Sequence, residues 1–279
     1  MAKNTYFETD KKLKKKKIRR IAFSITALVV FTAVFSLIFV LPSYNYSLYA
    51  LITGESPKEN NEEGETEEVN FDSFEKNYLF YCFDEEKKNL DFVLTCLVTA
   101  PDGGIEVEAF SPGTSVTSGS STMSLSSYYL TGGVNSLKEA VEILGEKKID
   151  SYLGSDPSSF KSVIDYTGTF KISPESPINY RGDDFNLTLP KGESNVKGDT
   201  LYKYLLFLSF TGSDGIKKQA ETVKDIILTS LSEENLNRAD SVFSKITNNL
   251  TTDITVLDYK RSEDVIKYMV KNKKTLDNS

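Results

Sequence analysis

No histidine occurs among the 279 residues, and that removes whole classes of chemistry. Ser-His and Cys-His nucleophilic catalysis and imidazole metal sites all need the missing ring. The two cysteines, Cys82 and Cys96, each sit in an apolar run that reads as a strand. They are too few for a disulfide-built scaffold, and they read as two buried thiols or as one disulfide. Lys217 and Lys218 stand near the start of an expected helix. There they could meet a phosphate through their charge and neighbouring backbone N–H groups, or simply form a solvated helical face. Arg181-Gly-Asp183 spells an integrin-type tripeptide, which in a polar loop is a chance match.

These groups must be positioned by a chain with two distinct halves. Residues 77–273 show ordinary globular patterning, enough for one domain. Tyr78–Phe83 and Phe92–Val98 are continuous apolar runs, as expected of strands covered on both faces. Ile105, Val107 and Ala109 alternate with Glu106 and Glu108, the pattern of a strand with one wet face. Residues 111–127, rich in Ser, Thr and Gly, read as a long loop. Ser136 with Glu139 predicts a capped helix carrying Leu137, Val141 and Leu144 and ending at Gly145. Asp156-Pro157 predicts a second helix, with Phe160, Val163 and Ile164 buried and Gly168 as its stop. Short strands are expected at Phe170–Ile172 and Phe185–Leu189. Helices are expected around Tyr202–Phe210, Ile216–Leu231, Glu233–Asn249 and Glu263–Lys271. The interleaving predicts an α/β fold, an α-β-α sandwich with a central mixed sheet.

The N-terminal part differs in kind. Residues 1–20 carry nine Lys or Arg against Glu8 and Asp10, whereas the whole chain has a net charge of −7. Residues 21–41 contain no charge and, as a helix rising 1.5 Å per residue, would span a hydrocarbon core of about 30 Å. Pro42 ends the run, and Tyr44, Tyr46 and Tyr49 suit an interface. A cleaved signal peptide has a shorter apolar region and a small-residue cleavage site. The expectation is therefore a single-pass protein of the cell membrane. Residues 1–20 would be cytoplasmic, 21–41 a transmembrane helix, 42–76 a juxtamembrane segment and acidic linker, 77–273 an extracytoplasmic domain and 274–279 a tail. The basic block reads as this orientation signal rather than as a nucleic-acid patch.

Several segments of the domain, in order, resemble the LytR-CpsA-Psr (LCP) family of envelope proteins. Asn77–Asp84 (NYLFYCFD) resembles the family's N-I-L-L-L-G-x-D, and Asp91-Phe-Val-Leu resembles D-T-I-M. Ser126–Gly133 (SSYYLTGG) resembles N-A-A-Y-x-x-G-G. Ile149–Tyr152 and Phe160–Gly168 resemble I-D-Y-Y and F-x-x-l-V-D-x-l-G. Leu187-Thr-Leu-Pro190, Gly192 and Gly198 resemble L-x-L-P-x-G-x-x-x-L-x-G. The resemblance implies transfer of a glycopolymer from a polyprenyl-pyrophosphate carrier to peptidoglycan with Mg²⁺ or Mn²⁺. Such chemistry needs dense positive charge to neutralise a pyrophosphate and its leaving group.

The family supplies that charge as P-R-D after the third strand, R-x-R in a helix and G-R-x-x-R-Q shortly afterwards. Here the third strand runs into Phe110-Ser-Pro-Gly-Thr114. The R-x-R positions hold Leu206 and Leu208, and the last motif falls on Gly215-Ile216-Lys217-Lys218-Gln219. Of the family's metal-ligand carboxylates only Asp91 is matched, and a strand-start Asp can equally be a cap or turn residue. Tyr202 and Leu205 to Leu208 read as core, or as the wall of a lipid groove.

Three functional expectations follow. The first is a catalytically degenerate LCP-like protein, without a cofactor, that binds a polyprenyl-linked precursor, wall glycopolymer or an active paralogue. The second is a divergent phosphotransferase using Asp91, Lys217 and Lys218 with a metal. The third is a structural envelope protein whose pocket has closed around its leucines.

Overall fold

The computed structural model describes residues 73–273 apart from 87–88 and 102–103. The chain opens with three strands, β1 (Phe74–Phe83), β2 (Leu90–Ala100) and β3 (Ile105–Phe110), joined as an antiparallel meander. A hairpin follows, β4 (Ser115–Ser118) and β5 (Ser121–Ser124), leading into helix α1 (Leu125–Gly145). Next come β6 (Ser151–Ser155), α2 (Pro157–Thr167) and four short strands: β7 (Phe170–Ile172), β8 (Ile178–Arg181), β9 (Asn186–Leu189) and β10 (Ser194–Val196). The last third is helical: α3 (Gly198–Ser209), α4 (Gly212–Ser230), α5 (Glu233–Leu236) and α6 (Ala239–Asn249), then strand β11 (Thr251–Thr252) and α7 (Val256–Lys271). The main sheet has the order β11-β6-β1-β2-β3, with β1 and β6 parallel and its other neighbours antiparallel. The expected mixed sheet is therefore present.

Strand periodicity explains the apolar runs. Alternate residues point to opposite faces of a sheet, and both faces here are covered. Leu79, Tyr81, Phe83 and Val93 pack with Leu125, Tyr128, Leu137 and Val141 of α1. Cys82, Phe92 and Leu94 pack on the other face with Leu201, Leu205 and Leu208 of α3 and Ile226 of α4. A third group joins Cys96 and Ile105 to Leu228 of α4 and to Val265 and Met269 of α7. Helices on both faces make this an α-β-α sandwich.

The expected single-pass architecture is corrected. Among the described residues no helix is long and apolar enough to cross a membrane. The two longest helices show why: α1 and α4 lay an apolar stripe on the sheet and carry charges such as Lys138, Glu142, Lys217 and Asp225 elsewhere. The expected membrane span, membrane attachment and single-pass localisation thus find no support among the described residues. The span expected at 21–41, the basic tail, most of the linker and residues 274–279 lie outside the described residues. Within the expected linker, β1 begins at Phe74, three residues ahead of the expected domain start at Asn77.

Other boundaries shift for local reasons. The loop expected at 111–127 contains the β4–β5 hairpin, which turns at Gly119 (φ 61°) and carries a Thr117–Thr122 hydroxyl hydrogen bond of 2.9 Å. Helix α1 starts at Leu125, not near Ser136; the Ser124 hydroxyl caps it by accepting from Ser127 N. Non-helical Gly133 (φ 65°, ψ −154°) then breaks it. Asp156 does cap α2, accepting from Ser159 N at 2.8 Å, and Gly168 ends that helix. The single helix expected at 233–249 is two helices, α5 and α6.

Cys82 and Cys96 are both buried free thiols. Cys82 stands opposite Phe92 and Cys96 opposite Tyr78 in the β1–β2 ladder, so they are not cross-strand partners. Burial pushes both thiols up, Cys96 to about 12. The melting temperature is expected to be independent of added reductant. Replacing both cysteines by Ala should cost about 1–3 kcal/mol through lost packing. A large fall in melting temperature of the unaltered chain on adding dithiothreitol would contradict this.

Candidate functional site

Where β2 begins, α3 passes over the sheet and three loops converge around a cavity of about 700 Å³. The turn after β1 contributes Asp84, Glu85, Glu86 and Asn89, and Asp91 follows as the second residue of β2. Ser111 to Gly113 enter after β3, Lys161 from α2, Asp184 from the segment before β9, and Tyr202, Lys203, Leu206 and Phe210 from α3 and its end. The turn is closed by Asp84 N donating to Asn89 O (3.0 Å) and Asn89 Nδ2 donating to Asp84 Oδ2 (3.1 Å).

Asp91 is half-buried, and its Oδ2 accepts from the Tyr202 hydroxyl at 2.7 Å. Phe92 and Phe160 hold the Tyr202 ring, with centroids 6.3 and 6.0 Å away. Burial raises the Asp91 carboxyl above the ordinary carboxylate range; the Tyr202 hydrogen bond opposes that rise and the nearby Asp84 charge adds to it. Tyr202 is raised too, first by burial and then by Asp91.

A carboxyl whose folded pKa is raised contributes stability that is present below the unfolded pKa and lost as pH climbs through the folded one. Asp91→Asn keeps an oxygen to accept from Tyr202 and removes the buried charge. It should raise the melting temperature at pH 7, with the gain shrinking as pH falls through the raised pKa of Asp91 and gone below the ordinary aspartate range. Thermal melts of both proteins across that span check it; a loss of stability at pH 7 would contradict it.

The two lysines of the cavity already have a carboxylate between them. Lys161 Nζ lies 2.8 Å from Asp199 Oδ1 and Lys203 Nζ 2.6 Å from Asp199 Oδ2. These contacts, Lys161 first, hold Asp199 below the usual carboxylate range. Lys161 also sits 5.1 Å from the Tyr202 ring centre. Among the described residues the lining therefore carries five carboxylates (Asp84, Glu85, Glu86, Asp91 and Asp184) against two lysines that share Asp199, and no arginine.

The fold brings Asp91, the Ser111–Gly113 segment and Leu206 together, so the positions of the expected strand-start carboxylate, P-R-D motif and first R-x-R arginine meet in one cavity. It does not bring Lys217 and Lys218 there. They line a separate cleft with Tyr180, Phe207 and Leu208, and Lys218 is paired with Glu221 at 2.8 Å. The expected trio of Asp91, Lys217 and Lys218 is thus divided between two places. Leu206 and Leu208 are buried in the core beside the sheet. Gln219, at the last arginine position, is fully buried and clasps α4 to α3 by donating Nε2 to Leu205 O at 2.8 Å. Lys161, Lys203 and the acidic loops were not singled out from sequence; the only local signal was the i,i+4 spacing of Asp199 and Lys203.

A divalent metal, which the resemblance implies, fits this donor set poorly. Mg²⁺ asks for several oxygen ligands in near-octahedral array. Among the described residues no group of three or more His, Cys, Asp or Glu is arranged to hold a metal. Asp91 has one oxygen engaged by Tyr202, and burial disfavours its charged form. No chemical step is derived through a metal.

The sandwich with its cavity at the head of β2 is an LCP-type domain. The LytR_cpsA_psr family model matches residues 106–278, more than half of the chain, and the chain belongs to that family. Solved structures share the fold. A crystal structure from Eubacterium siraeum, described as a transcription regulator, has a TM-score of 0.63 at 17% identity, covering 70% of this chain and 77% of its own. TagV of B. subtilis has a TM-score of 0.60 at 18% identity, covering 73% and 83%. TagT bound to LI-WTA has a TM-score of 0.52 at 15% identity, covering 72% and 77%. At such identities these likenesses speak for the fold alone. Among curated protein sequences none matches this one significantly.

Proposed function

We propose that this chain is a non-catalytic LCP domain of cell-envelope polymer assembly, contributing through binding rather than group transfer. The observation that carries this reading is the cavity lining, which among the described residues has five carboxylates and no arginine where the family's chemistry is expected. A pyrophosphate entering there would meet carboxylates such as Glu85 and Asp184, and the two lysines among the described residues of the lining are held by Asp199. Cations placed where charge develops are the main source of phosphoryl-transfer catalysis, and among the described residues of the lining both lysines are already engaged by Asp199. Leu206 and Leu208 support the same reading, because apolar packing has replaced two guanidinium groups and their ten N–H donors. The division of Asp91 from Lys217 and Lys218 weighs against the divergent enzyme built on those three.

Calorimetric titration of the full chain with inorganic pyrophosphate, with and without Mg²⁺, tests the proposal. No saturable heat is expected in either case. Saturable Mg²⁺-dependent binding that Asp91→Ala abolishes would overturn it.

A further inference from the structure

On the other side of α3 lies a second cleft of about 690 Å³, bounded by the segment from Pro174 to Tyr180 and by the start of α4. Its volume falls within the roughly 300–1,000 Å³ of small-molecule sites. The acidic cavity faces Tyr202 and Leu206, whereas this cleft faces Tyr204, Phe207 and Leu208, so one helix separates the two.

The floor is aromatic and held in place. The Tyr180 ring lies 4.7 Å from Phe185 and meets Phe207 edge-on at 5.6 Å. Gly192 N donates to Pro174 O at 2.9 Å, tying down the loop that forms the rim. Gly215 lets α4 start against the end of α3, since a Cβ there would collide with Thr211 Oγ1 and Leu208 O. Around this floor stand Glu175, Asn179 and Asp214, whose side chains have no hydrogen-bond or ion-pair partner among the described residues. Lys218 and Glu221 neutralise one another at 2.8 Å.

We propose that this cleft is a binding site for a neutral oligosaccharide, seated on Tyr180 and Phe207 and hydrogen-bonded by Asn179 and Glu175. A sugar ring presents C–H groups of slight positive charge that suit the negative face of an aromatic ring. Its hydroxyls donate to carboxylates and amides and also accept from amides and lysine. The charged groups of the lining, Glu175, Asp214 and Glu221 against Lys217 and Lys218, nearly cancel. That balance disfavours an anionic polymer. The site does not depend on the non-catalytic reading of the acidic cavity.

The test uses the full chain with maltotriose and triacetylchitotriose as probes, read by saturation-transfer NMR and calorimetry. Saturation should pass to the ring C–H protons of at least one probe. Glu175→Ala with Asn179→Ala, both exposed positions, should weaken binding about tenfold, the effect of losing one or two hydrogen bonds, with the melting temperature unchanged. Asp91→Ala should leave binding intact. The proposal is overturned if neither probe shows transfer, if the double variant binds as well as the unaltered chain, if Asp91→Ala abolishes binding, or if trilysine binds the cleft in place of sugar.

Discussion

Leu201→Ala is expected to lower the stability of the domain by about 2–5 kcal/mol, the range for emptying a fully buried leucine site. Leu201 has no exposure and packs in the core between α3 and the sheet. For a domain near 200 residues, that loss corresponds to a fall of about 5–15 °C in melting temperature. The consequence reaches function, because α3 carries Tyr202 and Leu206 to the acidic cavity and Tyr204 and Phe207 to the cleft. Leu130→Ala supplies the contrast: that residue is 55% exposed on α1, and its removal should change stability by less than about 0.5 kcal/mol. Thermal or urea melts of the two variants decide the matter. Equal effects would contradict the placement of α3 against the sheet.

Neutralising two cavity carboxylates, Glu85→Gln with Asp184→Asn, should strengthen the weak, non-saturating association of inorganic pyrophosphate with the unaltered chain about tenfold at low ionic strength. Both residues are exposed at the cavity mouth, so the fold should not notice the change. Two unit charges about 4 Å apart in water repel by about 1 kcal/mol, and removing two such repulsions at somewhat longer range gives about that factor. The gain should shrink at physiological salt, where the screening length is about 8 Å. Competition against a fluorescent anion reports the change. No gain at low salt would show that the acidic lining does not exclude the anion.

The parts of this molecule legible in its sequence are those where one residue type answers one physical demand. The β1 and β2 runs were legible because both sheet faces are covered, and Asp156-Pro157 was legible because a cap followed by proline has one structural meaning. The β4–β5 hairpin was not: its inward residues, Val116 and Met123, stand among serines and threonines that read equally well as loop. The start of α1 was hidden by Gly132 and Gly133, which suggest a turn, although only Gly133 breaks the helix. At the site, the missing arginines could be read directly from the motif positions. The acidic lining could not, since Asp84 to Glu86 and Asp184 lie about a hundred residues apart and meet only through the fold. The separation of Lys217 and Lys218 from Asp91 was hidden for the same reason: their place in a motif says nothing of which side of α3 the start of α4 will face.

On the proposed non-catalytic reading the domain performs no phosphoryl transfer, and a phosphate-release assay reports on that step itself. The full chain is incubated with geranylgeranyl pyrophosphate and Mg²⁺ or Mn²⁺ beside a no-protein control. Removing one well-placed charge-stabilising donor typically costs about 100- to 1,000-fold in rate. With leucines at both R-x-R positions and no arginine among the described residues of the cavity lining, release indistinguishable from the control is expected. Metal-dependent release well above the control, abolished by Asp91→Ala, would contradict it.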